Sequence, residues 1–205
     1  MIKAVIFDLN GIFLESEFLS KRFEEKYKVS QDEFTSALKA VMNIVRKPNG
    51  PAAFSLWKPY LDSWGLLLTE EEFFDFWFSG EKLVPGLVNY VDELKKKGLK
   101  VFILSNNFRE RTEYYQKSFP SFFSKFDGVY FSWETGFVKP EEKAYLNLLK
   151  KNSLSPQDSI YFDDADKNIE VARSLGIISQ KYEGLEEIRK AIESLLKASP
   201  EAQRI

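Results

Sequence analysis

The chain has 205 residues, 44% hydrophobic and 16% aromatic, enough for a packed core and too many for a wholly disordered protein. It contains neither cysteine nor histidine, which excludes disulfides, thiolate or imidazole catalysis and the usual zinc sites. Twenty-nine basic residues against 31 acidic ones leave a net charge of −2, too balanced for a nucleic-acid footprint built on net charge.

Taken from the N-terminus, Lys3–Phe7 is a short apolar run that predicts a buried strand, with no signal-peptide cleavage region after it. The stretch from Phe13 to Val84 holds no strand pattern and predicts helices over Glu15–Tyr27, Gln31–Val45, Phe54–Trp64 and Glu70–Phe78. The Lys47-Pro48-Asn49-Gly50-Pro51 cluster breaks it in the middle. It is mildly acidic and dense in aromatic residues: Phe54, Trp57, Tyr60, Trp64, Phe73, Phe74, Phe76, Trp77 and Phe78. Most of these should fill a small helical core of their own, leaving one or two to line a pocket.

Further along, helical patterns over Leu87–Lys97, Arg109–Lys117, Glu141–Asn152, Asp166–Leu175 and Glu183–Leu196 alternate with apolar runs over Lys100–Leu104, Gly128–Phe131, Ser159–Phe162 and Gly176–Gln180. Strands that read as continuous apolar runs suit a parallel sheet covered on both faces. The expected fold is therefore α/β, a doubly wound, mainly parallel, Rossmann-like sheet with a helical insertion. The boundaries fall at 1–13 and 85–205 for the sheet domain and 14–84 for the insert. The tail from 197 to 205 reads as frayed. No apolar stretch is long enough for a membrane helix, so a cytoplasmic protein without membrane or nucleic-acid partners is the expectation. The sequence leaves the oligomeric state open.

Ligands of open parallel sheets bind beyond the carboxyl ends of the strands, and polar clusters fall there. They are Asp8-Leu9-Asn10-Gly11, Ser105-Asn106-Asn107 and Asp163-Asp164-Ala165-Asp166, with Asn168 close behind and Lys139-Pro140 ahead of a helix. Each cluster alone could be a helix cap or a turn; their recurrence at successive strand ends is what points to a site. Crowding Asp8, Asp163 and Asp164 together is costly unless a cation neutralises them. An oxygen-only donor set points to Mg²⁺. A carboxylate beside Mg²⁺ and a lysine can attack a phosphoryl group. Lys139, the Ser105 hydroxyl and backbone amides near Leu9–Gly11 could hold the phosphoryl oxygens. Lys58 and Arg46 are the insert's candidates for an anionic substrate group, with solvated surface charge as the other account of both.

In these motifs, their order and the helical insert after the first of them, the chain resembles the haloacid dehalogenase superfamily of hydrolases over nearly its whole length. The resemblance implies that Asp8 is the nucleophile and that Ser105, Asn106 and Lys139 bind phosphate. It further implies that Asp164 ligates Mg²⁺, that Asp163 acts on the metal through water, and that the Asn10 carbonyl oxygen is another ligand. The insert would be an α-helical cap of the family's first type. The Ser105-Asn106 and Asp163–Asn168 motifs are most similar to the branch with sugar-phosphate phosphatases and the N-terminal domain of soluble epoxide hydrolases. The implied activity is Mg²⁺-dependent hydrolysis of a small phosphorylated metabolite through an aspartyl-phosphate.

One departure stands out. Phosphatases of the family usually carry an aspartate two residues after the nucleophile as general acid, and this chain has Asn10. An amide cannot make that proton transfer, which is typically worth about 10²–10⁴-fold. Slow phosphatase turnover, a weakly active or inactive relative that binds a phosphate-bearing ligand or a partner, and a haloacid dehalogenase are the three readings left open. The paired Asp163-Asp164 counts against the last.

Overall fold

The computed structural model describes residues 2–197; the tail expected to fray lies, from residue 198 on, outside the described residues. In chain order, β1 (Ala4–Phe7) and β2 (Leu14–Glu15) precede four helices, α1 (Leu19–Tyr27), α2 (Gln31–Val45), α3 (Ala53–Ser63) and α4 (Glu70–Phe78), and then β3 (Lys82–Leu83). From there α5 (Pro85–Lys96), β4 (Lys100–Ser105), α6 (Arg109–Ser118), β5 (Gly128–Phe131) and the single turn α7 (Ser132–Thr135) follow. The chain then forms α8 (Glu142–Lys151), β6 (Ser159–Asp163), α9 (Asp166–Ser174), β7 (Ile178–Lys181) and α10 (Leu185–Lys197).

Five strands form one parallel sheet in the order β5-β4-β1-β6-β7. The path runs outward from β1 through β4 and β5, then restarts on the other side with β6 and β7. The order reverses beside β1, the place where an open α/β sheet leaves a crevice at its carboxyl edge. Side chains alternate strictly, as a pleated strand requires. Val5, Phe7, Val101, Ile103, Ile160 and Phe162 join the core under α5 and α10. Ala4, Ile6, Phe102, Leu104 and Tyr161 join the core under α8 and α9. The doubly wound α/β fold with an inserted helical unit is the one expected. Burial on both faces holds for β1, β4 and β6 only: the edge strands β5 and β7 are mostly half-buried or exposed.

The insert has a separate core. Its helices start where local chemistry dictates: Ser30 with Glu33, and Thr69 with Glu72, form reciprocal capping boxes at α2 and α4. All of the aromatic residues picked out above lie in this core or against it, Trp57 stacking on Phe34 at 5.2 Å and edge-on to Trp77 at 5.8 Å. Phe108, which belongs to the sheet domain, is fully buried against Trp77 at 5.4 Å and Phe78 at 6.1 Å and pins the two units together. The expectation of no strand between Phe13 and Val84 is corrected. Leu14 pairs with Leu83 and Glu15 with Lys82 in an antiparallel ribbon where the chain leaves and re-enters the sheet domain. That pairing is why α1 begins at Leu19 rather than at Glu15. A two-residue strand carries too little periodicity to read from sequence. No helix among the described residues is long and apolar enough to cross a membrane.

Candidate active site

Parallel register brings the polar clusters to one level. Phe7 is paired with Ile103 on one side and Phe162 on the other, so Asp8, Ser105 and Asp163 leave the carboxyl edge of three adjacent strands together. The loop after β1 turns back at Gly11, whose φ of +84° an L side chain rarely adopts. A Cβ there would lie 2.6 Å from the Asp164 carboxylate, so glycine is what leaves that side chain its place.

Hydrogen bonds converge on one oxygen of Asp8: the Leu9 N–H donates to Oδ1 at 2.7 Å, and Lys139 Nζ lies 3.0 Å from it. Among the described residues Oδ2 has no such partner. Lys139, 4% exposed, spends its other protons on Asp163 Oδ2 at 2.7 Å and on the Tyr161 hydroxyl at 3.1 Å. Burial first, and then the Asp163 charge, holds the Tyr161 phenol well above its usual pKa, so it donates to Asp163 as a neutral O–H. Asp163 has no exposure and also accepts from the Ala165 N–H at 2.8 Å and Asn168 Nδ2 at 3.0 Å. It is a saturated anchor for Lys139. Asp164 is exposed.

One oxygen each of Asp8, Asp163 and Asp164 lie within 4.8 Å of one another. Three carboxylates face a single ammonium here, which leaves the cluster short of positive charge. Two of the three titration directions agree: burial, opposed by Lys139, raises Asp8, and burial followed by the charges of Asp8 and Asp163 raises Asp164, whereas at Asp163 burial is outweighed by Lys139 and the carboxyl is lowered. Oxygen donors with this excess negative charge fit a hard divalent cation. The side-chain oxygen of Asn10 accepts from the Tyr115 hydroxyl at 2.9 Å. Its backbone carbonyl accepts no backbone hydrogen bond among the described residues, so that is the oxygen left for a cation.

Two expected roles look different in place. Both ends of the Asn106 carboxamide grip the Lys139 backbone, Nδ2 donating to its carbonyl at 2.7 Å and Oδ1 accepting its N–H at 2.8 Å. The side chain therefore positions the lysine, and one Nδ2 proton stays uncommitted among the described residues. Lys58 pairs with Asp62 on the surface of α3, away from the sheet edge. Ser105 is buried, with Asn10 Nδ2 3.4 Å from its Oγ.

Sequence reasoning missed the second ring of the site. Tyr115 on α6 also bonds Glu81, which is 6% exposed and paired with Arg111 at 2.5 Å. These residues approach where the end of the insert, after α4, meets α6; no spacing in the sequence signals it. Tyr161 could have been found from its alternation with Asp163 on a buried strand.

A family model described as haloacid dehalogenase-like hydrolase matches residues 2–176. Pig bifunctional epoxide hydrolase 2 is 24% identical over 200 residues, covering 86% of this chain and 35% of that protein. The Bacillus subtilis protein YhcW, provisionally named a phosphatase, is 27% identical over 186 residues, covering 86% of this chain and 81% of its own. The chain spans about a third or less of the longest of the curated relatives it matches. The enzyme BT-2542 of Bacteroides thetaiotaomicron, 20% identical, superposes with a TM-score of 0.80 over 93% of this chain and 98% of that one. It has also been solved in complex with magnesium and inorganic phosphate.

Proposed function

This chain belongs to the haloacid dehalogenase-like hydrolases, and from that premise we propose that it is a Mg²⁺-dependent phosphatase of small phosphorylated metabolites. Asp8 is its nucleophile. The observation that carries the reading is the state of Asp8: one oxygen is held by Lys139 and the Leu9 N–H, the other is free, and Asp163 and Asp164 stand beside it. The magnesium and phosphate held by BT-2542 support the same chemistry.

Asp8 Oδ2 attacks phosphorus, the O–P bond to the alcohol breaks, and an aspartyl-phosphate forms. Water then attacks phosphorus, releasing phosphate and restoring the carboxylate. Lys139 orients Asp8, opposes the effect of burial on its charge and lends positive charge to the phosphoryl group, whose oxygens the Ser105 hydroxyl faces. Asp164, Asp8 and the Asn10 carbonyl would hold Mg²⁺, with Asp163 acting through water. When bound, the ion neutralises charge on the transferring phosphoryl group. Asn10 gives the departing alkoxide no proton, so poor leaving groups go slowly. The insert, residues 14–84, serves as the cap over a catalytic domain made of 1–13 and 85 onward.

The test is release of inorganic phosphate from a panel of phosphomonoesters in Mg²⁺. Turnover that stops with EDTA supports the reading; no release from any ester, or release indifferent to EDTA, overturns it. The amide at position 10, already satisfied by Tyr115, favours a second reading as a relative that binds phosphate ligands with little turnover. That reading predicts ligand binding without release.

A further inference from the structure

Arg46 closes α2 at its C-terminal end, its backbone N–H donating to the Met42 and Ile44 carbonyls. The residue is partly buried, and Nε is fully buried with no hydrogen-bond partner among the described residues. No carboxylate among the described residues forms an ion pair with it, whereas neighbouring Arg111 is balanced by Glu81. An unpaired buried donor on a cation is costly. Burial and Arg111 both lower its pKa, while Asp8 opposes them, which places the guanidinium within electrostatic reach of the proposed nucleophile.

Arg46 also lines a cleft of about 290 Å³ between the units, with Met42 and Lys47 on the insert side and Asn106, Val138 and Lys139 on the sheet side. One wall of this cleft is thus the lysine that touches Asp8, and the opposite wall carries Arg46 and Lys47; Glu141 also lines the cleft but forms no ion pair with Arg46. A phosphoryl group at Asp8 is already served by Lys139 and Ser105. We infer that Arg46 is a specificity residue that receives a second anionic group, a carboxylate or a second phosphate, on a short phosphorylated substrate. The volume suits only a few carbon atoms between the two groups. This rests on the phosphatase reading for where the first phosphoryl group sits.

Calorimetric binding to the Asp8→Asn protein in Mg²⁺ tests it with 3-phosphoglycerate, propane-1,3-diol bisphosphate and glycerol 1-phosphate. The first two carry the extra carboxylate or phosphate and the third does not. With Arg46 present, at least one of the two ligands with the extra anionic group should bind roughly tenfold to hundredfold tighter than glycerol 1-phosphate, the scale of a charge-assisted hydrogen bond. The one preferred identifies which anion is recognised. Arg46→Gln should collapse that preference towards one, and Arg46→Lys should keep part of it. The same ratios read as KM values on the Asp8-intact enzyme cover the case in which Asp8→Asn does not fold. Equal binding of all three ligands, or a preference that survives Arg46→Gln, overturns the inference. A preference that depends on Arg46 in a protein that releases no phosphate upholds the subsite and removes the phosphatase reading alone.

Discussion

At the carboxyl edge of the sheet the lysine is fully answered: Lys139 meets Asp8, Asp163 and Tyr161, and its own backbone is clasped by Asn106. The insert facing it is the reverse. Its interior is a dry stack of aromatic rings, and the cation it turns toward the edge, Arg46, meets no carboxylate among the described residues. A network whose partners are already in place holds one geometry and repeats one chemistry. A cation left unpaired is open to whatever anion is supplied. On the function proposed above, the difference separates a part built to react from a part built to choose.

Asp8→Asn breaks the reacting part most directly. Turnover should fall by about 10⁴-fold or more, as for removal of a nucleophile that works within a coupled set. The melting temperature should stay near that of the parent, because burial already disfavours the charge that the amide removes. Full activity in Asp8→Asn would end the covalent mechanism. The next effect is on stability. Lys139→Met strands two carboxylates, one of them wholly buried, and should cost about 3–5 kcal/mol. For a domain of this size that is a Tm roughly 6–20 °C lower. Arg46→Met should leave Tm level or higher, since it removes an unpaired charge. Equal losses for both would erase the contrast between the two regions.

Asn10→Asp asks whether the missing acid limits the chemistry. The kcat for alkyl phosphates should rise by about 10²-fold, with a smaller gain for p-nitrophenyl phosphate, whose leaving group needs no proton. Unchanged rates on both would move the bottleneck elsewhere. Asn10-Gly11 is a deamidation-prone pair, so peptide mapping of the parent protein belongs with the assay.

The smallest effect concerns Asp164, whose carboxyl is raised from 3.8 by burial and then by Asp8 and Asp163. A raised value means that the folded chain holds the proton more tightly than the unfolded one. The stability it contributes is complete below about pH 3.8 and is lost as pH rises through the folded value. Without metal, Asp164→Asn should therefore melt slightly above the parent near neutral pH and lose that advantage in acid. In Mg²⁺ the order should invert, because the parent gains stability by binding the ion and the variant gains less. A metal-free variant that is never the more stable would contradict the crowding of like charges.

The central strands and the site motifs were legible because they rest on local signals: apolar runs for β1, β4 and β6, and polar residues where each run stops. What escaped notice depends on tertiary approach. Glu15 pairs with Lys82 only after the insert has folded. Tyr115 meets Asn10 only once α6 has packed against the loop after β1. Asn106 carries the expected residue type, and its grip on the Lys139 backbone shows only in the folded chain. Arg46 is a charged residue at a helix end, a setting that usually means solvent, and burial of Nε is visible only once both walls of the cleft exist.

The two-residue ribbon at the base of the insert has a consequence for descent. Since Leu14 and Glu15 lie antiparallel to Leu83 and Lys82, everything between them is, topologically, the loop of one long hairpin. A loop closed at its neck can be lengthened, shortened or exchanged without moving a strand of the parallel sheet. Such an exchange would leave Asp8 and Lys139 in register while replacing α2, and with it the residue at position 46. Lineages sharing this neck can diversify what they admit while inheriting what they do to it.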